Sequence, residues 1–309
     1  MQAVVVDESN SIIGHKHART ESEQGKDHVT NKLVETINGA CAAAGISLAE
    51  IGAVGVAAAG AMDIPNGVVL EAPNLGWTNF AFRDRLEKAL KKSVVLENDV
   101  NGATWGEYHL GAGSGCGDVL GVWVGTGIGG GLILNGKIHH GEFFTAGEIG
   151  HTVLTPNGEK GNRTVEDHCG RRSIIRSLTS QLASNPNSML HELTEGLKQK
   201  IDMNMLCKAY SKGDSLTQSV INRSADLLGI AISNWVTMLA MDTVIVGGGI
   251  TESLGQAYLD RIIAAFKADV FPPRCKECRI VATELKGNAG LLGAALLAQE
   301  LVNNEQARR

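Results

Sequence analysis

No apolar stretch in the 309 residues approaches the ~18 consecutive residues of a membrane-crossing helix, and no N-terminal run has the shape of a signal peptide. Charge of one sign is also lacking. The chain carries 28 Lys and Arg against 33 Asp and Glu, a net charge of −5, so nothing suggests a nucleic-acid surface. Six cysteines (Cys41, Cys116, Cys169, Cys207, Cys275 and Cys278) do not make a disulfide framework in a chain of this size. Cys275-Lys-Glu-Cys278 is an isolated pair, and a zinc site would want a second pair or a histidine at suitable spacing. There is no Walker loop, because no Gly-Lys-Ser/Thr follows the glycine clusters. These exclusions leave a soluble, cytoplasmic reading with no membrane and no nucleic-acid partner, in one large domain or two ordinary ones.

Glycine is what the chain has in excess, 38 residues against a usual share of ~7%. The glycines sit at the ends of apolar runs and so mark tight loops. The densest cluster lies in Leu120–Gly131, where the β-type run Val119–Val124 feeds a glycine-rich turn and a second apolar run, Leu132–Leu134, comes next. Without a Cβ, backbone N–H groups can approach an anion closely, and Thr126 adds a hydroxyl. A phosphate cradle and a tightly packed hairpin are both open on this stretch alone. No helical pattern opens after these glycines, which argues against a dinucleotide fingerprint.

In chain order, Gln2–Val6 and Ile12–Ala18 read as a hairpin, and Val29–Ala44 as a helix stopped by Gly45. Ile51–Ala59 is a continuous apolar run, expected to be a buried strand that ends at Gly60. Pro73–Trp77 reads as a loop and Phe82–Leu90 as a helix. Ser93–Leu96 is a strand ending in Glu97-Asn98-Asp99, and a helix starts right after it. Beyond the hairpin, Ser173–Ser211 is helical with a break at 184–188. Leu216–Ala240 is a long helix, and Asp242–Val246 a strand closing in Gly247-Gly248-Gly249. Leu254–Phe266 is helical, Arg279–Ala282 a strand, and Asn288–Leu301 a helix with a frayed tail beyond it. Alternating strands and helices predict an α/β protein. The strand ends at Ala59-Gly60, Asn98-Asp99 and Gly247–Gly249 are candidates for one shared cleft, because open α/β sheets bind ligands beyond the carboxyl ends of their strands.

Asp99 can serve as a general base or metal ligand, although taken alone it reads better as a helix N-cap. Glu148 and His151, three positions apart and flanked by Gly147 and Gly150, could point into one site or decorate a surface turn.

Several stretches, in order, resemble the ROK sugar kinases of the actin-like ATPase superfamily. Val54-Gly-Val-Ala-Ala-Ala-Gly60 is similar to the strand that ends in the family's Pro-Gly pair, and Glu71-Ala-Pro-Asn-Leu-Gly-Trp77 to its sugar loop. Glu97-Asn-Asp-Val-Asn-Gly-Ala103 with Gly106-Glu107 resembles the catalytic segment. Gly125-Thr-Gly-Ile-Gly-Gly130 resembles the second phosphate motif, Gly147-Glu-Ile-Gly-His151 the signature, and Val244-Ile-Val-Gly-Gly-Gly-Ile250 the adenosine motif. The resemblance implies a two-lobed actin-like (ribonuclease H-like) α/β fold. A smaller lobe, 1–100, would be joined by the C-terminal helix 290–309, and a larger lobe, 101–289, would carry the nucleotide motifs. It implies ATP-dependent phosphorylation of a hexose, with glucose first and N-acetylhexosamine, mannose, fructose or allose behind it. Asp99 would be the base. Asn74, Asn98, Glu148, His151 and Glu166 would hold the sugar, Thr126 and Gly127 would face the phosphates, and Gly247 and Gly248 the adenosine. ATP and Mg2+ are the implied cofactors and a homodimer the implied assembly.

Two departures qualify the resemblance. Members open with a strand and an Asp-x-Gly-Gly-Thr turn, and Met1–Asp7 matches the family segment immediately after that turn. The implied alternatives are a start further upstream or a degenerate, non-catalytic sugar-binding protein, and the intact remaining site residues favour the first. The family's cysteine-rich zinc run is replaced by Gly161-Asn-Arg-Thr-Val-Glu166, with Cys169 out of register, so no structural zinc is expected.

Overall fold

Apolar runs bounded by glycine or polar clusters become strands, and the amphipathic stretches between them become helices. The computed structural model describes residues 1–307. Strands β1 (Gln2–Val6) and β2 (Ile12–His17) form an antiparallel hairpin, followed by helix α1 (Lys26–Ala43). Strand β3 (Val54–Ala58) leads into an antiparallel three-stranded sheet of β4 (Ala61–Asp63), β5 (Val68–Ala72) and β6 (Trp77–Ala81). Helix α2 (Phe82–Leu90) then leads to β7 (Val94–Asn98), which pairs in parallel with β3, and α3 (Asp99–Leu110) follows directly.

The second half contains β8 (Val119–Val124), β9 (Ile128–Leu134) and β10 (Lys137–Ile138), then α4 (Val165–Cys169), α5 (Arg171–Leu182), α6 (Met189–Leu193), α7 (Met203–Ser211) and α8 (Ser215–Leu239). It closes with β11 (Thr243–Gly247), α9 (Gly249–Leu254), α10 (Gln256–Asp269), β12 (Arg279–Ala282) and α11 (Ala289–Ala307). Its sheet runs β10-β9-β8-β11-β12, with β8, β11 and β12 parallel. β11 is buried along its whole length, as expected of a strand covered on both faces. One core surrounds β8 and β11 under α5, α8 and α10, and a second surrounds β3, β5, β7 and α2.

Helix α11 returns from the second half to pack against α3 and β3. The contact is close because both sides are stripped of side chains. A Cβ on Gly293 would run into the Gly102 carbonyl, and one on Gly55 into the Ala294 carbonyl. Among the described residues no helix is long and apolar enough to cross a membrane.

Four local expectations change. The tail past Leu301 does not fray there, since α11 continues to Ala307. Ser173–Ser211 breaks at 184–188 as expected, between α5 and α6, but breaks a second time before α7, which starts afresh at the side-chain cap Asp202. Trp77 is not a loop residue: it opens β6 and is buried, its ring edge-on to Phe80 and Phe82 at 5.0 and 4.9 Å. An indole gains too much from burial to remain in an exposed turn. Gly129–Gly131 belong to β9 rather than to the turn before it, because α3 leans on them. A Cβ at Gly129 would strike Val100, and one at Gly131 would strike Thr104. The glycine excess in this hairpin therefore serves both turn and packing.

Candidate active site

The carboxyl end of β7 runs straight into α3, and the two residues at that junction divide the work. Asn98 is the N-cap: its side-chain oxygen accepts from the Val100 and Asn101 N–H groups at 2.8 and 3.2 Å. Its amide nitrogen donates to the Gly60 carbonyl at 3.1 Å, which ties the end of β7 to the end of β3. Capping thus falls to Asn98 and not to Asp99. Asp99 is the first residue of α3, and beyond a 3.1 Å contact from the Val100 N–H its carboxylate is left open to the cleft, which Ala59, Gly287 and Gly290 also line. Solvent reaches the carboxylate, but protein surrounds most of it. Desolvation therefore raises its pKa above the ordinary aspartate value, the backbone N–H bonds opposing this only in part.

Glu97, just before this pair, is buried. It accepts from the Asn98 N–H at 2.9 Å and the Asn101 side-chain amide at 3.0 Å, and it pairs with His140 Nε2 at 2.7 Å. His140 lies in the loop after β10, so this contact joins the β7–α3 junction to the loop that carries Gly147–His151. Sequence reading misses it, because nothing in the spacing couples residues 97 and 140.

The glycine-rich turn after β8 is shorter than its glycine count suggests. It comprises Gly125-Thr126-Gly127, closed by the Gly125 N–H on the Gly127 carbonyl at 2.9 Å. The start of α5 holds it from below: the Arg171 N–H donates to the Gly125 carbonyl and the Arg172 N–H to the Thr126 carbonyl. The Arg171 guanidinium donates to Thr126 Oγ1 at 2.9 Å. Arg171 is invisible to motif reading, and a Gly-Arg-Arg run opening a helix is the only trace of it in the sequence. Glu166, on α4, accepts from the Ile128 N–H at 2.9 Å, and its carboxylate rests against Gly127. In this geometry Glu166 braces the turn, whatever else it touches.

Gly247 and Gly248 end β11 beside this turn. A Cβ on Gly247 would lie 2.9 Å from the Trp123 ring, and Gly248, at φ 90°, passes 2.6 Å from the Val124 carbonyl oxygen by the same measure. Gly247 leaves room for the Trp123 ring, and Gly248 lets backbone pass close. Glu148 and His151 do face each other, at 3.8 Å, on an exposed turn. Asn74 is exposed in the turn between β5 and β6. Cys169 is a core residue: its thiol donates to the Ser224 carbonyl, and burial pushes its pKa up to about 12. The geometry thus gathers Asn98 and Asp99 at one strand end and Thr126, Gly127, Glu166 and Arg171 at another, with Glu148 and His151 on the connecting loop.

Comparison with known proteins points the same way. The ROK family profile matches residues 1–301. A glucokinase of Thermotoga maritima is 30% identical over 96% of this chain and 93% of its own length. An N-acetylmannosamine kinase of Yersinia pestis is 31% identical over 81% of this chain and 80% of its own. A ROK family glucokinase from Streptomyces griseus, solved in complex with glucose and AMPPNP, superposes with a TM-score of 0.85 at 30% identity, covering 96% of this chain and 95% of that one. With a two-lobed actin-like α/β architecture and a family match along nearly its whole length, this chain belongs to the ROK family.

Proposed function

We propose that this protein is an ATP-dependent hexose kinase that transfers the terminal phosphoryl group of ATP to glucose. The observation that carries the reading is the division of labour at the β7–α3 junction: Asn98 caps the helix, and Asp99 is left as an open carboxylate in the cleft. The glucokinases among its relatives support glucose as the acceptor. The N-acetylmannosamine kinases keep an N-acetylhexosamine as the second candidate.

The chemistry rests on the residue types. Asp99 accepts the proton of the attacking hydroxyl as its oxygen bonds to the γ-phosphorus and the bond to the β-phosphate oxygen breaks. A base with a raised pKa holds that proton better than an ordinary aspartate would. Phosphoryl transfer otherwise needs positioning and charge stabilisation. We assign these to the N–H groups of the Gly125–Gly127 turn, the Thr126 hydroxyl and the Arg171 guanidinium, with magnesium arriving on the nucleotide. Gly247 and Gly248 flank the adenosine. Asn74, Asn98, Glu148, His151 and Glu166 hydrogen-bond the sugar, where a wrong epimer would strand polar groups. The exposed Glu148 and His151 need lobe closure to become a dry site. We place the lobe boundary near residue 100, with helix 290–309 on the N-terminal side; residues 308 and 309 of that range lie outside the described residues. A cytoplasmic homodimer completes the reading.

The test is ADP release with magnesium-ATP and a panel of glucose, N-acetylmannosamine, mannose, fructose and allose. A kcat/KM highest for glucose supports the assignment. Sugar binding by calorimetry without ADP release or nucleotide binding replaces it with a non-catalytic sugar binder. Replacing Arg171 by Met is expected to lower kcat by about 10²-fold, the usual effect of losing one donor to transferring charge, while sugar affinity stays unchanged. An unchanged kcat would reduce Arg171 to a brace for Thr126.

A further inference from the structure

Glu97 is a buried carboxylate just ahead of Asn98 and Asp99, and the reaction as proposed gives it no task. Burying a charge is costly unless donors surround it. Two of its donors are local: the Asn98 N–H and the Asn101 side-chain amide, both on Oε1. Asn101 gives up this amide while its own buried Oδ1 has no partner among the described residues, so the cluster is arranged to hold Glu97 and not to satisfy Asn101. The other oxygen, Oε2, is left for a residue outside the segment, and His140 reaches it at 2.7 Å. The Glu97 side chain is 4% exposed and that of His140 26%, so the pair is shielded from the solvent that weakens surface ion pairs.

His140 opens a loop that is closed on itself. The Ala146 N–H donates to the His140 carbonyl at 3.0 Å and the Phe144 N–H to the Gly141 carbonyl at 3.4 Å, which folds residues 140–146 back on themselves. Beyond them the chain is pressed onto β9: a Cβ on Gly147 would strike the Gly130 carbonyl, and one on Gly150 the Ile128 carbonyl. Glu148 and His151 stand at this end, joined by the His151 N–H on the Glu148 carbonyl at 3.2 Å. The loop therefore has two anchors. One is β9, and the other is the Glu97 carboxylate at the end of β7, where the backbone continues into Asp99.

We propose that, given the roles proposed above for Asp99, Glu148 and His151, the Glu97–His140 pair is a positioning strut for the sugar. It sets the spacing between the base and the groups that hold the hydroxyls. Neither Glu97 nor His140 touches the reacting atoms; both act through their neighbours. Glu97 fixes the backbone of Asn98 through one oxygen and the loop through the other. A misplacement of about 1 Å between a base and the hydroxyl it serves costs about 10²-fold in rate. Epimers are told apart by whether each hydroxyl meets its partner, which requires the partners to stay where they are. The strut therefore bears on the choice of sugar as well as on rate. The phosphate turn is held separately, by Arg171, Arg172 and Glu166, so the nucleotide side is left out of its reach.

Two variants of the 309-residue chain test this. His140→Phe keeps a ring in place but cannot donate to Glu97, and His140→Gln offers an amide donor in place of the imidazole. Steady-state kinetics with glucose and mannose, which differ at one carbon, are read beside glucose affinity by calorimetry and the urea midpoint. His140→Phe is expected to lower kcat/KM for glucose by about 10²-fold, to shrink the preference between the two sugars at least about tenfold, and to leave the KM for ATP unchanged. His140→Gln is expected to recover most of the rate and the preference. A lower urea midpoint in His140→Phe with an unchanged sugar preference would overturn the strut, leaving His140 as a partner that only offsets the burial of Glu97. So would a KM for ATP that rises as much as the KM for glucose, or a Gln variant no better than Phe. A parent that binds glucose but releases no ADP removes the kinase reading and not the strut. Glucose affinity then decides alone: weakened at least about tenfold by Phe and restored by Gln supports the strut, and equal affinity in all three proteins sinks it.

Discussion

Replacing Asp99 by Asn is expected to lower kcat by about 10²–10⁴-fold, the range for removing a positioned general base, while the protein still folds and binds sugar and nucleotide. Asn98, not Asp99, satisfies the first N–H groups of α3, so the helix start survives the change. The pH behaviour separates this from a mere loss of a polar contact. Burial raises the Asp99 pKa, so the acid limb of kcat in the parent enzyme falls at a pH above that of an ordinary aspartate, near ~4. In the Asn variant that limb disappears. The stability consequence has the opposite sign from the usual carboxylate. A raised folded-state pKa means that the native state holds the proton more tightly than the unfolded chain, so this group's contribution is lost as pH rises through the folded pKa. At neutral pH the variant should be as stable as the parent or more so. A variant with parental turnover under saturating sugar would remove Asp99 from the chemistry. One that loses turnover together with a large loss of stability would make it a structural residue.

Legibility in the sequence tracks the reach of the interactions. Strand ends, caps and apolar runs are set by neighbours a few residues away, and Phe82–Leu90 and Val119–Val124 fall where their patterns put them. Motif order conveys the fold and the list of clefts. It cannot convey contacts between residues far apart in sequence. Trp77 reads as a loop residue because its burial depends on Phe80, Phe82 and the sheet they form. Gly129–Gly131 read as turn because only α3, folded against them, shows that they are packing glycines. The capping competition at Asn98-Asp99 has no answer in composition, since both residue types cap well; the backbone geometry of β7 decides it. Arg171 and the Glu97–His140 pair belong to no local pattern at all.

Glu107 is the most consequential of these long-range residues, and removing it should be the most destabilising single change outside the cleft. It is fully buried in α3, and its carboxyl group has four partners. Oε2 accepts from the Ala112 N–H at 2.9 Å and the Glu284 N–H at 3.2 Å. Oε1 accepts from the Leu285 N–H at 2.8 Å and from the Thr283 hydroxyl. One side chain thus closes the end of its own helix and anchors the segment that leads from β12 into α11, the helix that packs against α3 and β3. Glu107→Ala strands the buried Ala112 N–H, at about 1–3 kcal/mol, and leaves the partly buried Glu284 and Leu285 N–H groups and the buried Thr283 hydroxyl without their carboxylate partner. Even the buried N–H alone is a sizeable fraction of a total stability of about 5–15 kcal/mol. Glu107→Gln keeps the shape and one carbonyl oxygen but turns an amide N–H toward donors, so it should fall between the two. Urea unfolding checks this: the midpoint should drop in the order parent, Gln, Ala with m unchanged. Because the anchored segment adjoins the end of β11, where Gly247 and Gly248 flank the nucleotide in the proposed reading, the Gln variant should also raise the KM for ATP more than that for sugar. If the Ala variant unfolds at the parental urea concentration, the four hydrogen bonds contribute nothing net and α11 is held by its glycine-mediated packing alone.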